Sequence, residues 1–188
     1  FAGGILRQQS HLQSLVDQIL SIGVSENHNF ILDENWRSAR DILTENVKIW
    51  LEDKSSYDVQ LSISDLPDGE IMVDLQLFRL VMNNLFDNAL KYSMIQPVEI
   101  KLNCELKNDK YCITVGDNGQ GISESDLKLV FKKFHRGNMN QIGNKRGLGL
   151  GLYLVKQIMR LHKGTVDISS KIGEGTEVTI NLPVHHGK

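Results

Sequence analysis

The chain has 188 residues, of which 40% are hydrophobic and 23% charged, so it can form one ordinary globular domain with a single core. Its formal net charge is -2 and it has no excess of Lys and Arg, which disfavours nucleic-acid binding. No apolar run is long enough to cross a bilayer, and no signal peptide is visible. Because the chain begins at Phe1 rather than Met, we expect a piece of a larger protein.

The first part of the chain predicts helices separated by short strands. Apolar residues recur at helical spacing near the start, and alternating apolar positions further on indicate strands. Asp74 precedes a long run of helical period and is expected to cap it. In chain order, the expected elements are a helix over residues 8–22, a linker at 25–29, a helix from a cap at Asp33 or Asn35 to Leu51, strands at 59–63 and 71–73, and a helix from Asp74.

The second part predicts two hairpins with two helices between them, so the whole chain has an α+β pattern with one layer of each. Cys104 and Cys112 lie in alternating runs without metal-ligand spacing, which indicates buried reduced thiols and suits the cytoplasm. The expected elements are strands at 98–106 and 111–116, a short helix from a cap at Ser123 to Val130, a mobile loop at 135–146, a helix from Leu148 to His162 that stops at Gly164, and a hairpin of residues 165–170 and 177–182.

A polar stripe interrupts the long helix that follows Asp74. Asn84, Asn88 and Lys91 are spaced four and three residues apart, so they share one helix face, while the remaining positions are apolar. The amide oxygen of Asn88 suits a hard cation such as Mg²⁺, and Lys91 can neutralise phosphate charge. The alternative is an ordinary solvated helix face.

Two glycine-rich motifs follow the stripe. Asp117 stands where a strand ends, before glycines at 119 and 121 that allow φ > 0, and its carboxylate can accept a hydrogen bond from an exocyclic amine such as that of adenine. Glycines at 147, 149 and 151 open a helix, where unpaired N–H groups favour phosphate oxygens. Each motif by itself is also compatible with a plain turn.

Other features leave alternatives open. The phosphate loop GxxxxGK[ST] is absent, and Leu152 stands where the dinucleotide fingerprint needs its third glycine, so both common nucleotide folds are disfavoured. Tyr92 either stacks on a base or fills core. Arg136 either reaches a terminal phosphate or is an ordinary exposed cation.

Taken together, these motifs resemble the catalytic and ATP-binding domain of sensor histidine kinases over residues 33–183. The motifs that carry the resemblance are, in order, Asn84-xxx-Asn88-Ala-x-Lys91-Tyr92, Asp117-x-Gly-x-Gly121, Phe131-xx-Phe134-x-Arg136, Gly147-x-Gly-Leu-Gly-Leu152 and Gly173-x-Gly175-Thr176. The resemblance implies the Bergerat ATP-binding fold shared with DNA gyrase, Hsp90 and MutL, a two-layer α/β sandwich with a mixed sheet of about five strands backed by three helices. It also implies three regions, namely the end of a dimerisation and phosphotransfer hairpin at 1–24, a linker at 25–32 and the catalytic domain at 33–188.

The resemblance assigns roles to individual residues. Asp117 is implied to bind the adenine amine, Asn88 to hold Mg²⁺, and Asn84 to order the water shell of the metal or the transferring phosphoryl group. Lys91 and Arg136 are implied to contact phosphates, so the catalytic residues implied are Asn84, Lys91 and Arg136. The remaining implied contacts are Gly119 and Gly121 shaping the adenine pocket, Ile122 and Tyr92 against the base, Gly147, Leu148, Gly149, Leu150, Gly151 and Leu152 around the phosphate chain, and Thr176 supporting Asp117.

The activity implied is that of a protein histidine kinase using ATP and Mg²⁺. The related ATPases have an acid at the position of Asn84, and an amide cannot take a proton from water, which favours transfer to a histidine over hydrolysis. His11 lacks the acidic residue and Pro of a phosphoacceptor box, so the acceptor is expected upstream, in the dimerisation domain of a homodimeric parent that is membrane-anchored in many relatives. A response regulator receiver is the implied downstream partner. The alternatives are a non-catalytic nucleotide sensor and a purely structural module.

Overall fold

The computed structural model describes residues 32–93, 95–137 and 148–184. The chain divides into two units, residues 1–32 and 33–188, and every helix and strand given below belongs to the second. The expected helix at 8–22 and the linker at 25–29 lie outside the described residues, as does most of the expected loop at 135–146. Those parts of the domain assignment stay predictions.

Seven strands and four helices make up the described part of the chain. The strands are β1 (Glu34–Ser38), β2 (Val59–Ile63), β3 (Glu70–Asp74), β4 (Val98–Lys107), β5 (Lys110–Asp117), β6 (Thr165–Lys171) and β7 (Gly175–Pro183). The helices are α1 (Ala39–Asp53), α2 (Leu75–Tyr92), α3 (Glu124–Leu127) and α4 (Gly151–Leu161). Among the described helices, none has both the length and the apolar character that a bilayer crossing requires.

Five of the strands form a mixed sheet in the order β2-β4-β5-β7-β6. β2 runs parallel to β4, and the other pairs are antiparallel, which confirms the mixed sheet of about five strands backed by helices. β1 and β3 form a separate antiparallel pair. β5 therefore lies at the centre of the large sheet and has a hydrogen-bonded neighbour on each side.

One face of the sheet is buried and the other is polar. Along β4 and β5, buried positions such as Ile100 and Ile113 alternate with half-buried or exposed polar ones, as expected for a sheet covered on one side. Cys104 is buried, and burial raises the pKa of its thiol to about 12. Cys112 is only half-buried, so the expectation of two buried thiols is wrong for this residue.

The apolar faces of α1, α2 and α4 supply the rest of the core. The cap predicted at Asp74 is confirmed, because its side chain accepts from the N–H groups of Gln76 and Leu77 and begins α2. Trp50 of α1 packs against Phe86 of α2 with ring centroids 5.3 Å apart. Helix α2 thus forms part of the core and carries the polar stripe as well.

Three element boundaries differ from the predictions. The helix expected from Asp33 or Asn35 begins at Ala39 with Ser38 as its cap, because residues 34–38 instead pair as β1 with β3, a non-local partner that local spacing does not reveal. The helix expected from Leu148 begins at Gly151. The short helix expected to reach Val130 ends at Leu127, although its cap at Ser123 is confirmed.

The end of α4 differs as well. The residue in the left-handed region is Lys163, with φ of 55°, rather than Gly164. A Cβ at Gly164 would lie 2.4 Å from the carbonyl oxygen of Asn181 on β7, so the glycine is needed for close approach rather than for its φ.

Candidate nucleotide-binding site

Asp117 is the last residue of β5, opposite Ile100 of β4 and Thr176 of β7. Its Oδ1 accepts hydrogen bonds from the backbone N–H groups of Gly119, at 2.8 Å, and Thr176, at 3.2 Å. Burial raises the pKa of the Asp117 carboxyl above that of an ordinary aspartate, although the same two N–H groups act to lower it. Both bonds fall on Oδ1, so within the described residues Oδ2 is left to accept a hydrogen from a ligand.

The glycine-rich loop after β5 is held against two other elements. A Cβ at Gly119 would lie 2.9 Å from the carbonyl oxygen of Tyr92, the last residue of α2, and the same oxygen accepts the N–H of Gln120 at 3.2 Å. Gly121 has φ of 71°, and a Cβ there would lie 2.0 Å from the carbonyl oxygen of Lys171 on β6. Both glycines are therefore required by close backbone approach.

Ser170 is a residue that the sequence interpretation missed. Its Oγ accepts the N–H of Ile122 at 2.8 Å, donates to the carbonyl oxygen of Gly175 at 2.7 Å and lies 2.9 Å from Oγ1 of Thr176. Gly175 has φ of 103°, and a Cβ there would lie 1.9 Å from the carbonyl oxygen of Asp117. Ser170 thus fixes the hairpin that supports Asp117, and no sequence pattern distinguished this serine from its neighbours.

The amides of the polar stripe face the beginning of α4. Asn84 donates from Nδ2 to the carbonyl oxygen of Leu80 at 2.7 Å, which directs its Oδ1 outward. A Cβ at Gly151 would lie 2.8 Å from Oδ1 of Asn84 and 3.8 Å from Nδ2 of Asn88. No side chain caps α4 at Leu150, so the N–H groups of its first turn are available to an anion beside the two amides.

Lys91 and Tyr92 lie at the end of α2, between these two groups of residues. The Nζ of Lys91 is 4.9 Å from the ring centroid of Tyr92, within cation–π range. The Tyr92 side chain is 36% exposed, so it does not fill the core. Of the two interpretations left open for Tyr92, exposure next to the Gly119 loop favours contact with a ligand.

Arg136 is exposed and follows two residues that reach the glycine turn before α4. The N–H of Phe134 donates to the carbonyl oxygen of Gly149 at 3.1 Å. Gly149 has φ of 69°, and a Cβ there would lie 2.6 Å from the carbonyl oxygen of His135. Arg136 is therefore adjacent in sequence to residues that contact the turn, and Leu148 of that turn is 72% exposed.

The sequence-predicted residues thus fall into two groups joined by α2. The first surrounds the end of α2 and consists of Asp117, Gly119, Gly121, Ile122 and Thr176. The second consists of Asn84 and Asn88 with Gly151 opposite them, and Gly149, Leu150 and the half-buried Leu152 adjoin Gly151 in the chain. Gly147 lies outside the described residues. The arrangement offers a carboxylate acceptor at one end and amides with free N–H groups at the other, which suits an elongated ligand with an amine-bearing ring and an anionic tail.

Comparison with known proteins defines the class. Residues 73–186 match the family of histidine kinase-, DNA gyrase B- and HSP90-like ATPases, and the chain belongs to that family. It therefore contains a nucleotide-binding domain of this type.

Among curated proteins, the chain is 29% identical over 186 residues to the sensor protein RprX of Bacteroides fragilis, covering 97% of this chain and 36% of that protein. It is 24% identical over 179 residues to the sensor protein SrrB of Staphylococcus aureus, covering 95% of this chain and 30% of that protein. The chain thus spans about a third of the length of these relatives.

Solved structures agree on the fold. The mycobacterial sensor histidine kinase MprB superposes with a TM-score of 0.69 at 21% identity, covering 79% of this chain and 97% of that chain. The Acinetobacter baumannii histidine kinase AdeS gives a TM-score of 0.69 at 24% identity, covering 96% of this chain and 82% of that chain. The predicted fold and family are confirmed.

Proposed function

We propose that this chain is the ATP-binding catalytic part of a sensor histidine kinase, which transfers the γ-phosphoryl group of ATP to a histidine outside this chain. The proposal is supported mainly by the different polar groups found at two positions along α2. A carboxylate acceptor lies beside its end, and two amides beside its middle face the uncapped start of α4.

Asp117 is the proposed adenine-binding residue. An ionised Oδ2 accepts a hydrogen from the exocyclic amine, while Oδ1 is held by the N–H groups of Gly119 and Thr176. Gly119 and Gly121 let their loop pack closely against Tyr92 and Lys171, which shapes the proposed adenine pocket. Ile122 and Tyr92 are the proposed apolar contacts of the adenine ring.

The phosphate end is proposed to be bound by α2 and α4 together. The N–H groups at the start of α4 would bind phosphate oxygens, with positive charge from Lys91 and Arg136. Asn88 would hold Mg²⁺ through its amide oxygen, and the fit is reasonable because a protein amide, phosphate oxygens and waters together form a suitable hard-oxygen set. The metal, when bound, neutralises charge on the phosphate chain.

The acceptor is proposed to be a histidine rather than water. Asn84 directs Oδ1 toward the start of α4, and an amide does not take up a proton from attacking water. A neutral imidazole needs no base, since its unprotonated nitrogen carries the attacking lone pair. Orienting the phosphoryl group is then the proposed contribution of Asn84, and Lys91 and Arg136 would stabilise its charge.

The partners follow from this chemistry and are proposals as well. The phosphoacceptor histidine would lie in a dimerisation domain of the same homodimeric protein, with residues 1–24 as the end of its hairpin and 25–32 as the linker. A response regulator receiver would then accept the phosphoryl group. Both curated relatives are named sensor proteins, which supports a signalling role for the parent protein.

The test is incubation of the 188-residue chain with Mg²⁺ and ATP labelled on the γ-phosphate, together with a supplied dimerisation domain carrying a phosphoacceptor histidine. The expected result is label on that domain, stable to base and labile to acid, and loss of transfer after chelation of Mg²⁺. Replacing the acceptor histidine by Gln is the control. Binding of ATP without any transfer would identify a nucleotide sensor instead, and absence of binding would refute both.

A further inference from the structure

His162 follows α4 and is 2% exposed, and both of its ring nitrogens form hydrogen bonds. Nε2 lies 3.0 Å from the backbone N of Asp74, and because an N–H must donate, Nε2 is the acceptor. Nδ1 lies 2.8 Å from the carbonyl oxygen of Ile158 and therefore carries the proton. The ring is a neutral imidazole fixed in one tautomer.

The partner of His162 is the residue that begins α2. Asp74 caps that helix through Oδ1, and its Oδ2 accepts the N–H of Asp33 at 3.2 Å. The imidazole thus joins the end of α4 to the start of α2, and it bonds the backbone N–H of a residue whose carboxylate accepts three further hydrogen bonds.

The opposite end of α4 lies at the polar stripe, so the two helices run antiparallel. Gly151 and His162 are separated by about 16 Å along α4, and Asp74 and Asn84 by about 15 Å along α2, at 1.5 Å per residue. Because the two lengths are similar, the bond between His162 and Asp74 helps to set how far α4 extends along α2. It thereby contributes to where the first turn of α4 stands beside the amide of Asn84.

The Asn84 amide stands directly against the first turn of α4. A Cβ at Gly151 would lie 2.8 Å from Oδ1 of Asn84, closer than real Cβ contacts, so only a glycine leaves this amide where it is. A shift of α4 by a fraction of an ångström along α2 would change the distance between its N–H groups and the two amides. The residues around Asp117 are positioned instead by the pairing of β5, β6 and β7.

We propose that His162 is a positioning residue for the phosphate end of the nucleotide site and sets affinity for the triphosphate without affecting recognition of the base. This inference rests on the proposed function. It differs from simple core packing, because a ring that merely filled space would affect every ligand equally.

The experiment compares His162→Gln with His162→Asn in the 188-residue chain. Gln can present an amide oxygen near the position of Nε2 and keep the acceptor for Asp74, whereas Asn reaches only the position of Nδ1. Affinities for Mg²⁺-ATP and for adenosine are measured by calorimetry or competition. Arg160→Ala, an exposed change on the same helix, is the control.

For His162→Asn we expect affinity for Mg²⁺-ATP to fall by up to about tenfold, the loss if binding must restore the position that one hydrogen bond held, with adenosine affinity unchanged. His162→Gln should recover most of the loss, and Arg160→Ala should match the wild type. Equal losses for both ligands, no loss at all, or a His162→Gln variant that does not fold would overturn the proposal. A wild-type chain that fails to bind Mg²⁺-ATP would instead refute the proposed function.

Discussion

Replacing Asp117 by Asn changes only one of the two oxygens that the site uses. The amide oxygen of Asn can keep the position of Oδ1 and accept from the N–H groups of Gly119 and Thr176. The amide nitrogen then occupies the position of Oδ2. A ligand amine that met an acceptor in the wild type meets a donor in the variant, and the negative charge is lost.

The magnitude follows from these two losses. A hydrogen bond to a charged acceptor contributes about 2 kcal/mol, and leaving two donors facing each other costs at least about 1 kcal/mol more, so Kd for ATP should rise roughly a hundredfold or more. Stability should not fall. Burial raises the pKa of this carboxyl, which means that folding disfavours its charged form, and Asn removes that charge.

Calorimetric titration with ATP and Mg²⁺ measures the change, and thermal unfolding checks the fold. Glu99→Gln removes a charge from an exposed residue of β4 and is the matched control, expected to bind as the wild type does. Undiminished ATP affinity in Asp117→Asn would refute the adenine assignment, as would equal losses in both variants.

Three further predictions concern the same elements. Only ionised Asp117 accepts the amine, so ATP affinity should be complete above the pKa of this carboxyl and fall as pH decreases through it. Because that pKa is raised, the fall should occur at a higher pH than for an ordinary aspartate. A series of Kd measurements against pH tests this, and a pH-independent Kd would contradict it. Gly175→Ala should abolish ATP binding and lower Tm, because its Cβ would lie 1.9 Å from the carbonyl oxygen of Asp117. Gly173 has φ of 81° but nothing within 4 Å of the position that a Cβ would take, so Gly173→Ala should lower the free energy of unfolding by only about 1 kcal/mol in a denaturant titration. Equal losses in the two variants would show that φ alone matters. Trp50→Phe removes the 2.9 Å hydrogen bond from Nε1 to Oδ1 of Asp87 and should lower the free energy of unfolding by about 1 to 3 kcal/mol. ATP affinity should not change, and an altered Kd would contradict this separation of core from site.

The shared face of Asn84 and Asn88 was predictable because its information is local. Asn84 and Asn88 are four residues apart on a strongly periodic helix, and helical geometry alone brings them to one face. The cap at Asp74 was predictable for the same reason. The strand β1 was not, because its pairing with β3 depends on residues more than thirty positions away.

Contacts between elements were also beyond the sequence. Ser170 bonds to Ile122 in the loop that follows β5, and His162 bonds to Asp74 at the start of α2, 88 residues earlier in the chain. Thr176 was expected beside Asp117, yet whether its hydroxyl or its backbone would make the contact depended on the register of β5 and β7. The backbone N–H makes it, while the hydroxyl bonds to Ser170.

The central place of β5 makes the acceptor carboxylate a sensitive reporter of sheet integrity. Side chains alternate along a strand, so sliding β5 by one residue against its partners would turn Asp117 to the opposite surface. A molecule whose register had slipped in this way would lose the proposed base contact entirely, and a population mixed in register would differ in the number of competent sites rather than in their affinity.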